Sequence, residues 1–227
     1  MAHIKKSGMP KSWPVPRKGK KRFIAVPSHA TKKGISLLFL LRDVLKIAAT
    51  RKEVRHMTLN GMVMVNNKVR HDENFPVQVF GVISLSPRDD SGEPDKAKKH
   101  YRLEIVNKKF NLVEISEKEA EIKIAKINGK KILSEGKIQM NLDDGQNFLT
   151  KEKFSVGDSI VLDTKKGKIS KILSLKKGAK VEIIGGKHAG EKGELIGFEE
   201  LVRGRNYEIK LGDKTVSLPG KTILVIA

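Results

Sequence analysis

The sequence predicts an α+β protein of several small domains. Three observations carry that reading. The first is a basic, proline-broken start with no hydrophobic period. The second is a short stretch with helical periodicity that ends in a hairpin pattern. The third is a long run of alternating apolar segments punctuated by turn signals. At 227 residues the chain suits two or three small domains rather than one large core. The expected boundaries are an extended basic arm over 1–36, a helix–helix–hairpin domain over 37–86, a central β-barrel-like domain over 87–172, and an SH3-like β-barrel over 173–227.

The arm carries Lys5, Lys6, Lys11, Arg17, Lys18, Lys20, Lys21, Arg22, Lys32 and Lys33. Pro10, Pro14, Pro16 and Pro27 interrupt it, and Trp13 is the only tryptophan of the chain. No period of 2 or 3.6 runs through the segment. It is therefore expected to be extended, to order on a partner, and to offer no apolar face to the folded domains.

Regular structure is expected from Ser36. Leu37, Leu38, Leu40, Leu41, Val44, Leu45 and Ala48 form a helical stripe, with Arg42 and Lys46 four apart on the opposite face. A second helix follows, for which Thr50 and Glu53 have capping-box spacing and Asn60-Gly61 supplies the stop. Met62–Val65, an Asn66-Asn67 turn and Lys68–Arg70 read as a β-hairpin. Arg42, Lys46, Arg51, Lys52, Arg55 and His56 on the helices, with Lys68 and Arg70, make this unit a candidate cationic surface.

From Arg88 to Lys99 the composition is polar, and a linker is expected. Beyond it, strands are expected around Tyr101–Ile105, Phe110–Ile115, Ile122–Ile127, Ile138–Leu142, Ile160–Leu162 and Ile169–Leu173. Asn128-Gly129, Asp144-Gly145 and Lys166-Gly167 serve as turn signals between them. Ser116 and Glu119 have the spacing of a further capping box, allowing a short helix.

The last segment repeats the β pattern with more glycine. Strands at Val181–Ile184 and Glu194–Phe198 flank the turn Gly185–Gly193, and Tyr207–Leu211 and Thr215–Leu218 complete a set of about five. Glycine lets a backbone approach a phosphate closely, and Lys187 and His188 sit at the tip of this turn. A phosphate-binding P-loop is excluded, because Gly190 is followed by Glu191 and no helical pattern comes after.

The formal net charge is +20 and the isoelectric point about 10.0. Its placement is uneven. Residues 1–42 hold eleven Lys and Arg and no acid, whereas residues 43–86, 87–172 and 173–227 contribute only +2, +4 and +3. Such an excess repels itself in a free monomer and points to a polyanionic partner. Phosphate neutralisation with counterion release makes nucleic acid the expected polyanion. Cysteine is absent, so disulfides and Cys-based zinc sites are excluded, and the histidines lie at no metal-ligand spacing. No stretch is long and apolar enough for a membrane helix. No nucleophile elbow or paired-carboxylate pattern stands out. The expectation is a cytosolic chain that is not an enzyme, with no cofactor, no metal and no small-molecule substrate.

These residues together resemble the e-type "S four" family of small-subunit ribosomal proteins found in archaea and eukaryotes. Lys11-Ser-Trp-Pro-Val-Pro-Arg-Lys18 resembles the family's arm. Leu40–Lys46, Arg51–Glu53 and Val65–Arg70 resemble its helix–helix–hairpin RNA-binding domain, and Gly178–Gly193 resembles a KOW motif. The resemblance implies a structural constituent of the small ribosomal subunit, cytoplasmic, of archaeal type, bound to ribosomal RNA and to neighbouring ribosomal proteins, and not a homo-oligomer. Carried over by position, the implied RNA contacts are Lys5, Lys6, Lys11, Trp13, Arg17, Lys18, Lys20, Lys21 and Arg22 in the arm. Arg42, Lys46, Arg51, Lys52, Arg55, Lys68 and Arg70 follow in the helical unit, with Gly186, Lys187, His188 and Gly190 in the KOW-like loop. The rival readings are a binding module of an RNA-modifying enzyme and a KOW-type transcription elongation factor.

Overall fold

The structure is a computed structural model that describes residues 3–19, 22–31, 33–86, 98–133, 137–201 and 204–226. The chain is mostly β, with few helices, and divides into two compact units, Met1–Lys123 and Ile124–Ala227. Among the described residues no helix is long and apolar enough to cross a membrane.

The first unit begins with β1 (His3–Lys5) antiparallel to β2 (Phe23–Ala25), with Ile4 opposite Ile24. Between them the chain turns inward rather than staying extended. Met9, Trp13, Ile24 and Val26 are all buried. Phe110 donates its backbone N–H to Ser12 O at 2.7 Å, which ties the segment to residues nearly a hundred positions away. The expectation of an arm without an apolar face is thus corrected. Its few large apolar residues lack a period, yet they cluster in space once the turns bring them together.

β3 (Gly34–Ser36) pairs with β6 (Pro76–Gln78) through Ile35 opposite Val77. From it the chain enters α1 (Leu37–Phe39), which widens over Leu40–Val44 into an i→i+5 turn, with Leu45 N–H donating to Leu40 O at 2.9 Å. Lys46 ends it at φ +56°. The first expected helix is present but short, because its continuous Leu37–Leu41 run is buried on every side rather than along one stripe. α2 (Arg51–Leu59) begins at Thr50 and is stopped by Gly61 at φ +72°. Thr50 Oγ1 accepts from Glu53 N–H at 3.3 Å, the half of the cap that the spacing predicts, while the Glu53 carboxylate reaches one residue further back and accepts from Ala49 N–H at 2.7 Å.

β4 (Val63–Val65) and β5 (Lys68–Val69) form the expected hairpin, with Asn66 and Asn67 both at positive φ. They belong to a larger sheet of order β5-β4-β7-β8-β9, completed by β7 (Val82–Leu85), β8 (Lys99–Val106) and β9 (Lys109–Ile115). This sheet crosses the expected boundary at 86/87. Ile83 lies opposite Tyr101 and Leu85 opposite Lys99, so the helical unit and the first strands beyond it share one sheet. The expected linker falls largely on residues 87–97, which lie outside the described residues. α3 (Glu117–Ala120) has the reciprocal Ser116–Glu119 box that its spacing predicts.

The second unit holds two five-stranded sheets. One has the order β12-β11-β10-β13-β14, from β10 (Ile122–Ile132), β11 (Ile138–Leu142), β12 (Asn147–Thr150), β13 (Ser159–Asp163) and β14 (Lys168–Leu173). Its core is Ala125, Ile127, Met140, Leu142, Phe154, Ile160 and Leu162, aliphatic with one aromatic. Asn128-Gly129 is not a turn here. It lies within β10, where the register against β11 shifts between Ile127 and Gly129. Asn-Gly fits a two-residue turn or a bulge equally well, and the alternation that continues on both sides carries the strand through.

The other sheet has the order β18-β17-β16-β15-β19. Its strands are β15 (Lys180–Ile183), β16 (Lys192–Leu201), β17 (Gly204–Leu211), β18 (Lys214–Pro219) and β19 (Ile223–Val225). Val181, Ile183, Leu195, Ile209, Ile223 and Val225 form its core. Gly193 is required where β16 meets β17, because a Cβ there would collide with the carbonyl oxygen of Lys210. The two sheets form one compact unit, although the sequence places a domain boundary at 172/173. Lys126 of β10 donates through Nζ to Gly220 O and to Ile223 O, the latter at 2.6 Å, and Ser159 Oγ accepts from Val225 N–H at 2.9 Å.

Candidate nucleic-acid interface

The cations of the N-terminal segment surround a buried anchor. Trp13 is 1% exposed and donates Nε1–H to Gly34 O at 3.2 Å. That burial corrects the implied RNA contact at Trp13, since the ring is enclosed by the protein itself. The charged neighbours stay outside: Lys5, Lys11, Arg17, Lys18 and Arg22 are exposed and Lys6 is half-buried. Arg17 is steadied by a 2.6 Å bond from its guanidinium to Met9 O, and the Arg22 guanidinium lies 5.8 Å from the Phe23 ring centroid. Lys20 and Lys21 lie outside the described residues.

On α2, Val54 and Thr58 face inward, so the 3.6-residue repeat turns Lys52, Arg55 and His56 to solvent. Arg51 leans the other way and binds the buried carboxylate of Glu73, with Nε donating to Oε1 at 2.8 Å. That hydrogen bond, reinforced by the carboxylate's charge, raises the Arg51 pKa and holds the side chain in place. Arg42 is engaged by Asp43 at 2.7 Å. Lys46 is exposed beyond the end of the first helix. The six residues therefore do not form one uniform cationic face. Lys46, Lys52, Arg55 and His56 face solvent, while Arg42 and Arg51 each hold an acid.

The hairpin displays Lys68, and Arg70 lies with its guanidinium 4.2 Å from the Phe75 ring centroid, a cation–π contact that leaves it half-buried. Asn66 Oδ1 accepts from Val82 N–H at 3.0 Å and so fixes the turn against its neighbouring strand. A second two-residue turn carries cations that sequence reasoning passed over. Asn107 and Lys108 are at positive φ between β8 and β9, and Lys108 and Lys109 are exposed. The legible signal was an Asn-Lys pair between two alternating runs, the pattern that marks the Asn66-Asn67 hairpin.

In the second unit the turn between β15 and β16 has Gly186 at φ +91° and Gly190 at φ +92°. It is closed by Gly190 N–H donating to Ile183 O at 2.8 Å and Ile183 N–H donating to Glu191 O at 3.0 Å. Lys187 projects into solvent, but His188 Nδ1 lies 3.1 Å from Glu191 Oε2. One cation of this loop is thus open to an external anion, and the histidine already has an acidic neighbour.

Comparison with known proteins identifies the relatives of the chain. The sequence model of the family described as Ribosomal family S4e matches residues 97–169. Small ribosomal subunit protein eS4 of Methanocella arvoryzae is 34% identical, over 85% of this chain and 79% of that protein. Its counterpart in Archaeoglobus fulgidus is 33% identical, over 87% of this chain and 80% of the relative. The crystal structure of 30S ribosomal protein S4e from Thermoplasma acidophilum superimposes with a TM-score of 0.70 at 25% identity, covering 86% of this chain and 95% of that one. The chain belongs to the eS4 family of small ribosomal subunit proteins.

Proposed function

We infer that the chain is a structural constituent of the small ribosomal subunit, acting in the cytoplasm by binding ribosomal RNA and neighbouring ribosomal proteins. The observation that carries this reading is identity of about one third to small-subunit proteins over most of both chains. The family is one of ribosomal proteins rather than of enzymes. The charge supports the same conclusion, since a chain of +20 assembles most favourably against a polyanion.

The finer proposal concerns contacts. The exposed Lys5, Lys11, Arg17, Lys18, Arg22, Lys52, Arg55, Lys68 and Lys187 meet phosphate oxygens and 2′-hydroxyls. RNA helices hide the base edges of their major groove, so recognition follows shape rather than sequence. In the first unit Lys6, Lys46, Lys108 and Lys109 add to these contacts, and Arg42, Arg51 and Arg70 shape its surface. Lys20 and Lys21 keep the same role by their place in the basic run. The Gly186–Gly190 turn serves as the KOW-like contact, with its backbone able to approach the RNA and with His188 oriented by Glu191.

Sucrose-gradient sedimentation at moderate salt tests the reading. The protein is expected to travel with the small subunit. A soluble, folded protein that stays at the top of the gradient overturns it.

A further inference from the structure

Strand β16 departs from the character of the rest of the chain. Residues 191–201 carry Glu191, Glu194, Glu199 and Glu200 against the single cation Lys192. This acid-rich strand occurs in a protein of net charge +20. It is poorly suited to face RNA phosphates, from which it would be repelled.

The same strand exposes large apolar side chains. Ile196 is 45% exposed, Phe198 50% and Leu201 47%. β15 pairs with β16 only at Lys192, Gly193 and Glu194, and Leu195 is held by backbone bonds to Gly178 and Ala179. From Ile196 to Leu201 the outer edge of β16 has no partner strand among the described residues. β17 lines the inner edge, with Phe198 opposite Tyr207 and Glu200 opposite Arg205. Arg205 is engaged within the hairpin, at 2.9 Å from Glu200 and 5.2 Å from the Phe198 ring centroid. The described end of the ribbon, Phe198–Leu201 with Gly204 and Arg205, is exposed throughout.

We propose that the outer edge of β16, from Ile196 to Leu201, docks an extended Lys- and Arg-rich segment of another protein by strand addition. Unpaired backbone groups supply the ladder, Ile196 and Phe198 cover apolar side chains of the incoming strand, and Glu199 on the opposite face of β16 meets its cations. Charge complementarity selects this occupant. A segment that carries cations to RNA, as this chain's own N-terminal residues do, is attracted to the acids of β16, whereas RNA is not. The proposal rests on the ribosomal reading, which places other RNA-binding proteins beside this one.

The test uses the full chain in isolation, with an octapeptide of alternating valine and lysine as the probe. The peptide should slow amide hydrogen exchange across Ile196–Leu201 at low salt and leave Ile209 in the core unchanged. Glu199→Lys and Phe198→Ser should each weaken peptide binding at least tenfold, and the unchanged exchange of Ile209 shows that the fold is kept. A valine–glutamate octapeptide should not bind. The proposal is overturned if neither substitution weakens binding, if the basic peptide leaves these amides unprotected, or if a ribosomal RNA fragment protects them instead. Concentration-dependent protection without peptide would also overturn it, making a second copy of the chain the occupant. Because the assay does not involve the subunit, its failure with co-sedimentation intact removes this proposal alone.

Discussion

Trp13 donates its indole N–H to the carbonyl oxygen of Gly34, and that bond turns a basic tail into part of a folded unit. The anchor is fully buried, while the lysines and arginines around it remain at the surface. Under the proposed function, stability and RNA affinity reside in different residues of the same short segment, and substitution separates them.

Trp13→Ala should destabilise the protein by about 3–5 kcal/mol, the usual loss for removing a large buried aromatic. Denaturant titration measures it. The slope of log K against log salt for RNA binding should stay the same, because no cation is lost.

Neutralising Lys5, Lys11 and Lys18 to Gln should do the reverse. Each phosphate left without its cation flattens the salt slope by about 0.7–0.9, while the denaturation midpoint moves little. Deleting residues 1–34 should lower both quantities, since Met9, Trp13, Ile24 and Val26 leave with the cations.

Arg51 and Lys52 are adjacent in sequence but should respond differently. Arg51→Ala leaves the buried Glu73 carboxylate without its guanidinium partner, at a cost of about 1 kcal/mol given how exposed the arginine is. Lys52→Ala should leave stability unchanged and weaken RNA binding at low salt. Equal stability losses in the two variants would contradict the assignment.

Acid should loosen the start of α2. Hydrogen bonds from Ala49 N–H and from the Thr50 hydroxyl hold the Glu53 pKa below its ordinary value. A carboxyl lowered on folding contributes stability that is fully present above its unfolded pKa and is lost as pH falls through its folded one. The protection of the Ala49 amide, its exchange taken relative to the intrinsic rate at each pH, should fall across that window. Glu53→Gln should abolish the pH dependence.

Lys126→Met should destabilise the second unit by about 2 kcal/mol, because the carbonyls of Gly220 and Ile223 lose a charged donor. Thermal unfolding followed at Ile223 and Ile160 should show both sheets weakened together.

The sequence by itself determined much of the local architecture and the polyanionic character of the expected partner. Alternation over Ile138–Leu142 defined a strand whose bounds match those observed, and Asn66-Asn67 and Thr50–Glu53 defined a turn and a cap. Each depends on steric preferences within a few residues, which are written locally. The placement of charge was equally legible, since counting needs no coordinates. Only the tertiary structure decided which side chains meet across long separations. It buried Trp13 against Gly34, paired Arg51 with Glu73, carried one sheet past residue 86, and made a bulge of Asn128-Gly129. Burial and pairing are set by which surfaces exclude water together, and those surfaces come from distant parts of the chain. The N-terminal residues retain their net charge in either reading. The fold makes them a surface built around a buried tryptophan rather than a free tail.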